Sequence, residues 1–409
     1  MDSPELDPEV ATWLVSDDGL DAVVAADREL TGGADVLGVG TRLRAAGLDA
    51  SRAAAVVGAA LARDRARARW PDADQLVFTR EGLEQASDPV VSAWRAERFA
   101  SAGHLEDRAA GCGGDTLALA ATGAAVTALD AAPGRLVLLR HNASVRGLRV
   151  ETVVADALRY PAPTGAPVHA DPGRRVDGRR VRRLAAHRPS VPALLTHLHA
   201  VRSGPGVAVV LGPGVDLDDP DLPPDAELEF VQVGSRLVEA VVWTGALRRP
   251  GVRTTASMLG EDGSGPPHTR SADERGARLP VGPIGEVLVE VAPAAVRARL
   301  HDRIGGEIGA RRLAERRALL TTAGAPPPSP WYRARPIEAV LPARAEAVRR
   351  HLAAVDERPY ELVLHGVEVD LGAFRRKLRG LSTGPGGRRV ELVRTDGGAV
   401  ALVTTDVLT

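Results

Sequence analysis

Asp107-Arg108-Ala109-Ala110-Gly111-Cys112-Gly113-Gly114-Asp115, then Thr116-Leu117-Ala118-Leu119-Ala120, then Ala125-Val126-Thr127-Ala128-Leu129-Asp130, is the stretch that decides the fold. A short strand ends at Asp107, small residues and glycines turn the backbone, and a helix starts at Thr116 with its amide end toward the corner. Glycine permits positive φ and close backbone approach, and a helix N-terminus offers unpaired N–H groups to a polar ligand. A second strand ends in Asp130, at about the 20-residue spacing where an acid accepts hydrogen bonds from ribose hydroxyls in nucleotide-binding βαβ units. The expectation is an α/β fold with a parallel sheet and a nucleoside cofactor at this turn.

Two cofactors compete for it. Dinucleotide sites use G-x-G-x-x-G to seat a pyrophosphate, whereas S-adenosylmethionine carries no phosphate and its enzymes commonly place an acid at the start of the turn, as Asp107 stands here. S-adenosylmethionine is favoured. The cofactor set is then Asp107, Ala109, Gly111, Gly113 and Gly114 around the turn, Asp130 at the ribose, and Asp156 near the adenine amine after the strand Val150–Val154. A fourth strand, Val168-His169-Ala170, ends in Asp171-Pro172, the catalytic pair. Methyl transfer is mostly a matter of alignment, and a carboxylate there can orient the acceptor or take its proton. Arg174, Arg175, Arg179, Arg180, Arg182 and Arg183 follow directly and read as a phosphate grip.

Four pieces in order resemble the actinobacterial class I methyltransferases with a C-terminal THUMP-like domain: Leu76-Val77-Phe78-Thr79-Arg80-Glu81-Gly82-Leu83-Glu84-Gln85-Ala86, the turn, Asp171-Pro172-Gly173-Arg174-Arg175, and Val281-Gly282-Pro283-Ile284-Gly285. The resemblance covers nearly the whole chain. It implies a Rossmann-like class I methyltransferase core, S-adenosylmethionine as cofactor, and an RNA substrate, rRNA or tRNA. Against the family's pattern, Arg108 stands in an apolar place and Ala109 in that of the first glycine. The second reading is therefore a degenerate, non-catalytic RNA-binding or scaffold member of the same fold.

The chain has 409 residues, 44% apolar and 26% charged, enough for two or three domains. Its net charge of −1 excludes a general nucleic-acid coat, so any basic footprint is local. The single cysteine, Cys112, leaves no internal disulfide and fits a reducing cytoplasm; no metal site and no membrane-spanning run are expected. Lys377 is the only lysine, so arginine richness partly reflects composition. Expected domains are 1–103, helical; 104–247, the cofactor-binding core with a terminal hairpin at Gly234-Ser235; 248–330, a linker and helical segment; and 331–409, a small THUMP-like α/β domain.

Overall fold

The computed structural model describes residues 6–176, 179–181, 183–199, 206–274, 276–355, 360–381, 383–384 and 387–408, the side chains of 175–176 and 179–180 excepted. The chain divides into two compact units, Met1–Arg253 with Met258–Pro267, and Thr254–Ser257 with His268–Thr409.

The first unit opens with helices α1 (Pro8–Leu14), α2 (Asp17–Thr31), α3 (Val36–Ala45), α4 (Ala50–Ala66), α5 (Arg80–Gln85) and α6 (Pro89–Ala96). Their starts are written in the sequence: Asp7, Ser16, Asp35, Asp49, Thr79 and Asp88 each accept a backbone N–H of the first turn. Helix α3 carries Gly38 and Gly40, weak helix formers, within the region expected to be helical. The core continues through β1 (His104–Arg108), α7 (Gly114–Ala121), β2 (Ala125–Asp130), α8 (Pro133–Val145), β3 (Val150–Val154) and β4 (Val168–Ala170). Next come the short β5 (Arg175–Val176) and β6 (Arg179–Arg180), then α9 (Val191–His199), β7 (Val207–Leu211), β8 (Glu227–Val233) and β9 (Arg236–Trp243).

Within this unit the strands lie in the order β8-β9-β7-β4-β1-β2-β3. The central strands are parallel and β8 and β9 form the expected hairpin. The order reverses between β1 and β4, which is where open α/β sheets leave a crevice beyond their strand ends. Asp107 and His169 are register partners across that gap.

The N-terminal helices share a core with the sheet's own elements: Leu14, Val56, Trp70, Phe78 and Leu83 pack in one cluster with Cys112 of the turn and Val137 and Leu138 of α8. Buried Asn142 of α8 accepts from Val77 N at 2.8 Å and donates to Val77 O at 3.0 Å, clamping the Leu76–Ala86 segment. The 1–103 region thus belongs to the same compact unit as the core.

Residues 248–330, expected as linker and helix, contain β10 (Thr254–Leu259), β11 (His268–Ala272), β12 (Val287–Val291), β13 (Arg311–Arg312) and β14 (Leu319–Thr322), with two short helices, α10 (Pro293–Arg297) and α11 (His301–Glu307). The hydroxyl-rich Thr-Thr-Ala-Ser strand hides from apolar periodicity because polar pairs such as Thr255 with Ser271, 2.9 Å apart, line it. The chain ends with β15 (Tyr332–Pro342), α12 (Ala345–Val355), β16 (Tyr360–His365), α13 (Leu371–Lys377), β17 (Arg388–Thr395) and β18 (Gly398–Thr404). In the second unit one sheet runs β13-β14-β12-β15-β18-β17-β16, and Val348, Leu352 and Phe374 of its helices cover Val390, Leu392 and Val403.

Candidate active site

The turn after β1 is fixed by its own backbone. Ala110 N donates to Leu129 O at 2.9 Å, and Gly113 N to Ala110 O at 3.0 Å. Asp130, 8% exposed at the end of β2, accepts Gly111 N and Ala132 N, each at 2.8 Å, so its carboxylate is held rigidly against the corner. Three residues take positive φ: Ala109 at 65°, Gly111 at 56° and Gly113 at 97°. Their environments differ. A Cβ on Gly111 would meet nothing within 4 Å, so this side of the turn is open. On Gly113 it would lie 2.2 Å from Leu139 Cδ1, and on Gly114 3.0 Å from Ala86 Cβ, so those two glycines admit protein neighbours.

Asp107 is 1% exposed. One oxygen accepts the Thr116 hydroxyl and the other meets His169 Nδ1 at 2.8 Å. Expected in the cofactor set, it is more deeply buried than Asp130 and ties α7 to β4. Arg108, fully buried, is not the liability that its place suggested. It pairs with Glu106 at 2.8 Å and donates to the carbonyls of Ala157 at 2.8 Å and Pro161 at 2.6 Å. Asp156 is exposed after β3 and accepts Leu158 N at 2.7 Å. Buried Cys112 has its thiol pushed up to about 11 by desolvation, which leaves it a neutral packing residue.

Around Asp171 lies a buried charge cluster that sequence reasoning missed. Arg95 of α6, 2% exposed, donates to Asp115 Oδ1 at 3.0 Å and stands 3.5 Å from Glu239 of β9, itself 4% exposed. Ser87 donates to Asp115 Oδ2 at 3.0 Å. Desolvation pushes Glu239 up to about 7, Arg95 opposing it while Asp115 and Asp171 add repulsion. Half-buried Asp171 is pushed up to about 6 by desolvation, then by Asp115, against the pull of Arg174, Arg95 and His169. Burial disfavours charge on His169, yet Asp107 outweighs it and raises the ring above its usual range. The one signal in the sequence was a lone acid, Glu239, inside the apolar run of β9.

Pro172 is buried beside Asp171, and Arg174 reaches over Gly212 beyond β7, its Nη1 3.2 Å from where a Cβ there would sit. Arg183 is exposed. Arg182 lies outside the described residues, as do the side chains of Arg175, Arg179 and Arg180.

Two Mycobacterium tuberculosis sequences, from strains CDC 1551 and H37Rv, are each 30% identical to this chain over 334 residues, 81% of this chain and 88% of theirs; both are named as uncharacterized S-adenosylmethionine-dependent methyltransferases. The chain belongs to this methyltransferase family. A crystal structure from Porphyromonas gingivalis W83, of a protein assigned as a methyltransferase, matches 88% of this chain and 92% of its own with a TM-score of 0.69 at 19% identity, which establishes the shared fold. No protein-family profile matches. The methyltransferase's cofactor is S-adenosylmethionine, and the turn offers an open glycine corner, a helix amide end and a fixed acid at the end of β2. Among the described residues no helix is long and apolar enough to cross a membrane.

Proposed function

We propose that this methyltransferase acts on RNA, with Asp171 positioning the acceptor and the arginines after β4 holding phosphate. The observation that carries the reading is Asp171 itself: a half-buried carboxyl beyond β4, at the sheet's switch point, raised to about 6. Gly111 and Asp130 hold the cofactor directly, with Gly113 and Asp156 at the edges of the same corner, while Asp107 and Thr116 keep the turn in shape. When bound, S-adenosylmethionine supplies a methyl group on a positively charged sulfur. Asp171 accepts a hydrogen bond from the acceptor's N–H or O–H and takes that proton as the acceptor's lone pair is committed. Its carboxylate form prevails above about pH 6, so transfer rises through that pH and levels off.

Calorimetry with S-adenosylmethionine and S-adenosylhomocysteine, paired with labelled methyl transfer to fractionated cellular RNA, tests this. Asp130→Ala weakens cofactor binding at least tenfold. Asp171→Asn binds cofactor as the wild type does but transfers no label. Full turnover by Asp171→Asn removes that residue from the mechanism, and labelling of metabolites without RNA removes the substrate class.

A further inference from the structure

The second unit contains a cavity of about 590 Å³ between α10, α11 and the loop leading into β14. Five arginines line it, Arg278, Arg299, Arg312, Arg316 and Arg317, against two acids, Asp302 and Glu315. The acids are spent on the cavity's base. Arg312, 6% exposed, pairs with Asp302 through both its Nε, at 2.8 Å, and its Nη2, and donates to Glu315 O at 2.9 Å. Arg278 lies 2.9 Å from the Glu315 carboxylate.

Arg316 and Arg317 are exposed at the mouth; Arg316 has no ion-pair partner among the described residues, and Arg317 has only Gly366 O at 3.3 Å. The Arg317 guanidinium packs against Gly366, where a Cβ would fall 2.1 Å from its central carbon. The wall is strained too. Arg299 holds φ 58° between α10 and α11, a left-handed conformation that is costly for a non-glycine residue, and such strain tends to persist where a site needs it.

We propose that this cavity binds a phosphate group, the planar guanidinium forks of Arg316 and Arg317 closing on an anion seated above the Arg312–Asp302 pair. Arginine abundance alone does not explain the arrangement, since scattered surface arginines need neither a concave floor nor a left-handed wall residue. The neighbouring group Glu290, His365 and Glu391 has the spacing of a cation site, but Arg389 lies 2.9 Å from Glu290 and 3.5 Å from Glu391 and already neutralises it.

The proposal is independent of which substrate is methylated and is read by binding alone. The full-length protein is titrated with inorganic phosphate, with a 5′-phosphorylated RNA tetranucleotide and with the same oligonucleotide lacking that phosphate. Saturable binding of either phosphate-bearing probe, lost at least tenfold in the double variant Arg316→Gln/Arg317→Gln, supports it. Preference for the 5′-phosphorylated oligonucleotide assigns the site to a terminal phosphate, and equal binding of both oligonucleotides assigns it to a backbone phosphodiester. The double variant should keep wild-type affinity for S-adenosylhomocysteine and its wild-type thermal midpoint, which separates a lost site from a lost fold. No saturable binding of any probe, or unchanged affinity in the folded double variant, overturns the proposal.

Discussion

Ala109 is held at φ 65° where an L-residue's Cβ crowds the following carbonyl, a penalty on the order of 1 kcal/mol. Glycine there relieves the crowding but gains freedom in the unfolded chain, costing back about 0.4–1 kcal/mol. The expected outcome of Ala109→Gly is a net gain of up to about 0.6 kcal/mol, read as a higher denaturant midpoint with an unchanged slope. Gly113→Ala is expected to lose about 3 kcal/mol, since it adds both a left-handed penalty and a Cβ 2.2 Å from Leu139. The same measurement reads both, and an equal response of the two positions contradicts this account of the turn. At this scale the sequence revealed that the corner needs small residues, but not which of them faces the ligand. That depends on Leu139, Ala86 and Ser87, which only the fold brings alongside. Likewise, the contact of Asp107 with His169 was not legible, because the two lie 62 residues apart in the chain.

Elements α6, α7 and β9 each contribute one charge to the buried cluster, Arg95, Asp115 and Glu239, and none is needed to recognise the elements themselves. Strand and helix positions in the core were legible because buried parallel strands read as short apolar runs and the Gly234-Ser235 turn marks a hairpin. Strands β10 and β11 were not, since hydroxyl pairing obscures their period. The cluster makes stability depend on pH with a definite sign. Glu239 ionises near 4.5 when unfolded and at about 7 when folded, so the folded state binds the extra proton between those values. Its stabilising contribution is present below about pH 4.5 and is lost as pH rises through 7. Glu239→Gln therefore removes this part of the decline: between pH 5 and pH 8 the variant should lose less stability than the wild type, by on the order of 2 kcal/mol. Denaturant unfolding at the two pH values measures it, and parallel wild-type and variant curves would show that Glu239 is not the titrating group.

For the molecule as a whole, a net charge of −1 means that the proposed RNA substrate would gain nothing from bulk charge and would depend on local arginines. Each phosphate contacted on a single strand adds about 0.7 to the slope of log affinity against log salt. Of the six arginines in the proposed grip, Arg174 and Arg183 are the two with described side chains, so Arg174→Gln/Arg183→Gln should lower that slope by about 1.4 if both touch phosphate. The loss should grow as salt falls, because screening already weakens the contacts at high salt. Catalysis separates grip from chemistry. On the proposed roles, in which these arginines act on binding and Asp171 on the acceptor, the neutralised protein should show a raised KM for RNA with its high-pH kcat within about twofold of wild type. Arg174 has a further role to be distinguished, because it also pulls down the Asp171 carboxyl. With Arg174 neutral, the rising limb of kcat should move above pH 6, whereas Arg183→Gln alone leaves the limb in place. A shifted limb with an unchanged salt slope makes Arg174 a tuning residue for Asp171 and moves the phosphate grip elsewhere in the chain; an unchanged limb and slope leave the segment after β4 without a part in either binding or transfer.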